Sequence, residues 1–193
     1  MRPTVSALLP LSLVLALAGC GRGDAPPDPA ALVADLTSGD EKKSGAARLA
    51  LISVGEPATP ALVGLLQNGI PRERVLAATT LWGMGARGAA AVPALAAALG
   101  DDDPELRVAS AMALENMGPA ARGAAPALAD ALDDPEQSVR QAAVKALGAM
   151  GPAASPALPA LEAAIQRESW PEAEEAVRRI HGGADPARTT GDP

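Results

Sequence analysis

The 193-residue sequence has no phenylalanine and no tyrosine, and Trp82 and Trp170 are its only aromatic side chains of that class. A core without large rings has to be filled by small side chains, so backbones must approach closely. That favours tightly stacked short helices over a sheet sandwich. Strand-favouring residues are also scarce, and the composition reads as all-α. There is one cysteine, Cys20, and one histidine, His181. This excludes an internal disulfide and a cysteine metal site, and it leaves no Ser/His/Asp or Cys/His set to assemble. No phosphate-cradling glycine loop and no metal-ligand spacing is present, so no cofactor and no small-molecule substrate is indicated. Basic charge is short too: the formal net charge is −7. Nucleic acid, whose phosphates demand a basic face, is a poor partner for such a chain, and no basic lipid-binding helix is evident.

What is present begins at the N-terminus. Arg2 precedes an apolar stretch from Val5 to Leu17, which is too short to span a bilayer comfortably and has the size of a secretory leader. The ending Leu17-Ala18-Gly19-Cys20 resembles the bacterial lipobox. That resemblance implies cleavage after residue 19 and lipidation of Cys20, which would hold the protein at a membrane of the cell envelope. Residue 21 is glycine, not the aspartate of inner-membrane retention, so the outer membrane is favoured if the source has two. Residues 20–28 are rich in Gly, Pro and Asp and read as a short extended tether.

The strongest pattern is internal repetition. Pro60-Ala61-Leu62, Pro93-Ala94-Leu95, Pro126-Ala127-Leu128 and Pro159-Ala160-Leu161 recur at one constant interval along the chain. Arg74, Arg107 and Arg140 share the same period, as do Leu81, Leu114 and Leu147. Gly85, Gly118 and Gly151 close each first helix, with Gly55 displaced by three positions. Asp103-Pro104-Glu105 and Asp134-Pro135-Glu136 place a capping carboxylate, a proline at the first helical position and an early acid at helix starts. Ser155 can cap the second helix of the last pair with Pro156 following it, and Pro159 then falls in the first turn.

The spacing predicts a lone helix over 29–37, pairs over 41–54/59–67, 71–84/89–99, 104–117/123–132 and 135–150/156–167, and a polar capping helix over 170–181. One pair alone would expose its apolar face, so neighbours must stack. The solenoid therefore occupies residues 29–181, and residues 182–193, without apolar periodicity, read as a disordered tail.

The pattern Val139-Arg140, Ala143, Ala146-Leu147-Gly148 and Gly151 resembles a HEAT repeat, of the short bacterial type grouped with phycobilisome-lyase repeats. The resemblance covers roughly residues 40–167 and implies a right-handed α-solenoid of stacked antiparallel helix pairs. It also implies a ladder between repeats, built from an aspartate and an arginine six positions apart. Asp101/Arg107 and Asp134/Arg140 match that spacing, while Asn68/Arg74 substitutes an amide, which weakens the first junction.

Against this background the ladder arginines read as structural, and the acidic turns at residues 101–103 and 133–134 as helix caps. His181 reads as a fraying terminus and Trp170 as a lid on the last core. Trp82 replaces the Glu115 and Gly148 of later units and is the best candidate for a partner anchor. The second helices present a small-residue surface, including Ala97, Ala129 and Asp130, that suits a helix or extended peptide. The expected function is a lipid-anchored, non-enzymatic scaffold that binds a protein or peptide partner. The alternatives are a bilin lyase or isomerase, or a hydroxylase, implied by family analogy alone, and a purely architectural envelope protein.

Overall fold

The computed structural model describes residues 27–167 and 170–182. The leader, Cys20, most of the tether and the tail from residue 183 lie outside the described residues. Among the described residues ten α-helices follow in order: α1 (Pro29–Leu36), α2 (Glu41–Val54), α3 (Thr59–Asn68), α4 (Pro71–Met84), α5 (Val92–Ala98), α6 (Pro104–Met117), α7 (Ala125–Asp130), α8 (Gln137–Met150), α9 (Leu158–Arg167) and α10 (Pro171–Ile180). There is no strand among the described residues, and no described helix is long and apolar enough to cross a membrane.

The helices form two layers. α2, α4, α6, α8 and α10 stack side by side as first helices, and α3, α5, α7 and α9 form the second layer against them. Each element touches its neighbours along the chain, so the fold is a solenoid with a continuous seam in place of a central core. Leu51, Leu81, Leu114 and Leu147 fill the seam from the first helices, and Leu62, Leu95, Leu128 and Leu161 from the second. Each such burial is worth roughly 1.5–3 kcal/mol in apolar transfer. Alanines do the rest: Ala77, Ala111, Ala143 and Ala146 are wholly buried, which brings neighbouring first helices into close contact.

α2, α4, α6 and α8 each end on a glycine with a backbone that L-residues avoid. Gly118 has φ 55° and ψ −132°, and Gly151 φ 57° and ψ −139°. The chain then makes a 3-10 turn of seven residues, Gly118–Ala124 or Gly151–Ala157. A 3-10 turn eclipses residues three apart, so one stripe can be buried. Ala121 and Ala124, and likewise Ala154 and Ala157, are fully buried. These turns shorten the second helices relative to the sequence-based expectation, and α9 begins at Leu158. Ser155 consequently does not cap it. The Ser155 hydroxyl donates to the Pro152 carbonyl at 2.6 Å, and Pro156 sits inside the 3-10 turn. In the first pair the turn has only three residues, Glu56–Ala58, which accounts for the displacement of Gly55.

The start of α8 differs as well. The Asp134 carboxylate accepts the Glu136 N–H at 2.9 Å and is engaged by Arg107, so the chain makes an aspartate-capped turn before the helix opens at Gln137. Asp103 does cap α6, accepting the Glu105 N–H at 2.9 Å.

Candidate functional site

Three surfaces carry the residues singled out from the sequence. The first is the arginine ladder. Arg107, near the start of α6, lies almost buried and donates Nε and Nη2 to the two carboxylate oxygens of Asp134 at 2.8 and 2.9 Å. Its Nη1 donates to the carbonyls of Asp101 and Asp102 at 2.9 and 3.2 Å. The aspartate six positions before each arginine thus contributes its carbonyl to that arginine and its carboxylate to the arginine of the preceding repeat. The hydrogen bond to Asp134 raises the Arg107 guanidinium above its ordinary range, against the opposing effect of burial. Arg74 makes the equivalent ion pair to Asp101 through Nη1 at 2.5 Å. Its Nε is buried without a hydrogen-bond partner.

Asn68 stands outside this ladder. Its amide donates to the Gly64 carbonyl at 3.0 Å, and the N–H two positions on, at Ile70, is taken by the Glu73 carboxylate at 3.1 Å. Ser44 occupies on α2 the fourth helical position that Arg74, Arg107 and Arg140 occupy on α4, α6 and α8, so no arginine is available there for residue 68. At the other end, Arg140 donates Nη1 to the carbonyls of Asp134 and Pro135 at 2.9 and 3.0 Å, and among the described residues no carboxylate meets its remaining edge.

The second surface is an apolar cleft of about 380 Å³ on the outer side of the first-helix layer. Val75, Thr79 and Trp82 of α4 face Val108, Ala109 and Met112 of α6, with Arg48 and Glu105 at the rim. Trp82 is 47% exposed and Met112 42%. The Trp82 carbonyl accepts from the Asn116 amide at 2.6 Å, which ties the end of α4 to α6. Met112 and Asn116 were not singled out from the sequence. Met112 sits at the ninth position of its helix, where α4 has Thr79 and α8 has Lys145, a departure visible in the repeat alignment.

The third surface is the second-helix layer. Ala97 is exposed on α5, Ala129 half-buried and Asp130 exposed on α7. These three share a layer, and Trp82 belongs to the other. The sequence-derived binding residues therefore fall on two faces, which no compact ligand covers together. Trp170 packs against the end of the core, and His181 is exposed at the C-cap of α10, its N–H donating to the Val177 carbonyl at 3.0 Å. Among the described residues there is no His/Cys/Asp/Glu group suited to a metal.

A family model for HEAT repeats matches residues 59–134 and 92–180. No curated protein matches the chain. Among solved structures, the complex of CpcE and CpcF of phycocyanin lyase from Nostoc sp. PCC7120 is similar at 21% identity and a TM-score of 0.62, over 79% of this chain and 97% of that one. An engineered protein is similar at 23% identity and a TM-score of 0.54, over 80% of both chains. A designed armadillo repeat protein in complex with the peptide (KR)4 is similar at 18% identity and a TM-score of 0.52, also over 80% of both. At these identities the likeness is one of fold.

Proposed function

This chain belongs to the HEAT-repeat family, and we propose on that premise that it is a lipid-anchored, non-enzymatic scaffold that binds a protein partner at the bacterial cell envelope. The observation that carries the binding reading is the apolar cleft between α4 and α6. A tryptophan and a methionine half-open to solvent are unusual in a chain this poor in large side chains, and both flank one concavity. Exposed apolar clefts of this kind with a charged rim favour partner binding, and tryptophan is over-represented among residues that dominate such interfaces. The second-helix surface, smooth and small, offers room but no anchor.

The anchor reading rests on Leu17-Ala18-Gly19-Cys20 after an apolar leader, and Gly21 favours an outer membrane where two exist. Several acyl chains on Cys20 hold a protein far more firmly than one. The non-enzymatic reading rests on the sequence inventory, in which one histidine and one cysteine leave no nucleophile and base to pair.

Affinity capture from detergent-solubilised envelopes tests the cleft. Proteins retained by the wild-type chain should be lost with Trp82→Ala and with Met112→Lys. Retention of the same set by both variants sinks the cleft as the binding surface. The anchor is tested separately by fractionating cells that express Cys20→Ser, which should appear in the soluble fraction without lipid label. A variant that stays membrane-bound and lipid-labelled removes Cys20 from the scheme.

A further inference from the structure

Among the described residues the ladder has two closed rungs and one open one. In the closed rung at Arg107, Nη1 is tethered to two main-chain carbonyls of the same repeat, and the Nε/Nη2 edge holds Asp134 of the next. Arg140 repeats the tether, with Nη1 on the carbonyls of Asp134 and Pro135. The position that would supply its acceptor, in the register of Asp101 and Asp134, is Arg167 and not an aspartate. Arg167 instead forms an ion pair with Asp133. The guanidinium of Arg140 is thus held as in a finished rung, beside a cleft of about 280 Å³ whose walls include Leu132, Ala164 and Trp170. Among the described residues, both acidic groups lining that cleft are already committed, Asp133 to Arg167 and Asp134 to Arg107 and the Glu136 N–H.

We infer that the open edge of Arg140 is a carboxylate-binding site, taking an aspartyl or glutamyl side chain from a peptide partner seated against Trp170. The fold reproduces at Arg140 the donor arrangement that binds a carboxylate at Arg107, and supplies space where the acceptor would stand. A planar guanidinium with one nitrogen already fixed loses little further freedom when it takes a carboxylate in two-point contact. Arg167 at the rim offsets the Asp133 charge, so that carboxylate does not oppose an incoming one. The wall of Trp170 and Leu132 selects a carboxylate carried on an apolar stem. This surface is distinct from the Trp82 cleft, and failure of capture through Trp82 leaves it intact.

The test is a titration of the ¹⁵N-labelled mature chain from residue 20 onward, carrying Cys20→Ser so that no lipid is attached, followed through the arginine Nε–H resonances. The probes are acetyl-Ala-Asp-Ala-amide, the matching asparagine peptide and sodium acetate. The Arg140 resonance, assigned through Arg140→Lys, should shift saturably with the aspartyl peptide and stay fixed with the asparagine peptide. The Arg107 resonance should not move. Arg140→Lys, which keeps the charge but loses the fork, should weaken peptide binding by about tenfold or more, read from peptide-side line broadening. Equal saturation by acetate at the same concentration supports the site with a free acid as its ligand. An Arg140 resonance unmoved by either carboxylate overturns the inference. So does one that already matches Arg107 in the free protein and loses that position in Glu168→Gln, because the chain would then close the rung itself.

Discussion

Replacing Asp134 by asparagine tests the energetics of the ladder most directly. The change leaves an oxygen to accept the Glu136 N–H, but it removes the charge opposite Arg107 and turns an N–H₂ group toward a donor. Arg107 and Asp134 have side chains 10% and 9% exposed, so the stranded guanidinium cannot be rehydrated without opening the seam. Removing one partner of such a buried pair costs about 3 kcal/mol or somewhat more. For a chain of this size that lowers Tm by roughly 6–12 °C. The same substitution at Asp101, whose rung with Arg74 is 22% and 20% exposed, should cost about 1 kcal/mol, or roughly 2–4 °C. Urea denaturation followed by circular dichroism measures both, and the ranking matters more than either value. The double variant Arg107→Met/Asp134→Leu should recover part of the loss, because no charge is left stranded, while the Asp101 and Asp102 carbonyls and the Glu136 N–H lose their side-chain partners. Equal losses at Asp134 and Asp101, or a double variant as unstable as the single one, would refute the argument from desolvation.

Other consequences are open to the same measurements. Gly151→Ala forces an L-residue to φ 57° and should destabilise by about 1–3 kcal/mol, whereas Gly64→Ala, in the middle of α3 with open space around it, should not destabilise. Ser110 is wholly buried with an unpaired hydroxyl at the position held by Ala77 and Ala143, so Ser110→Ala should be neutral or stabilising by about 1 kcal/mol, and a clear loss would reveal a hidden partner. Trp82→Ala should leave Tm within a few degrees of wild type, since the ring is half exposed, and a large drop would recast Trp82 as a packing residue. Arg178 and then Arg179 hold the Glu175 carboxyl below its ordinary 4.5. A depressed carboxyl stabilises the fold above its unfolded value and stops doing so as pH falls through the folded one. Below pH 4.5, α10 should therefore fray, and hydrogen exchange should find that response missing in Glu175→Gln.

The helix pairs were legible because each is announced locally, by proline near a start, glycine at an end and leucine returning in one register. Helix starts after the 3-10 turns were less so. Ser155 and Pro156 look like a cap and a first residue, and only the need to bury Ala154 and Ala157 on one stripe reveals the tighter turn. The ladder residues were visible, but their pairing was not. Asn68 keeps the spacing yet has no arginine to meet, because its partner would come from α2, where Ser44 stands. Arg140 looks identical to Arg107 in sequence, and the difference between them lies in the following repeat, at Arg167. Trp82 was conspicuous as a break in the repeat. Met112 was not, since methionine at one helical position carries no signal until its exposure is known.

The stacking of like helices on like has a consequence for how this chain can change length. Within its own layer every first helix meets only the first helices before and after it, and every rung joins one repeat to the next. Inserting or deleting one whole repeat therefore leaves each surviving helix beside a neighbour of the same kind, with the end helices still covering the exposed faces. The distance between α1 and α10 is in that sense adjustable in whole repeats, without redesign of any interface. A scaffold of this kind can be fitted to a larger or smaller partner by counting modules.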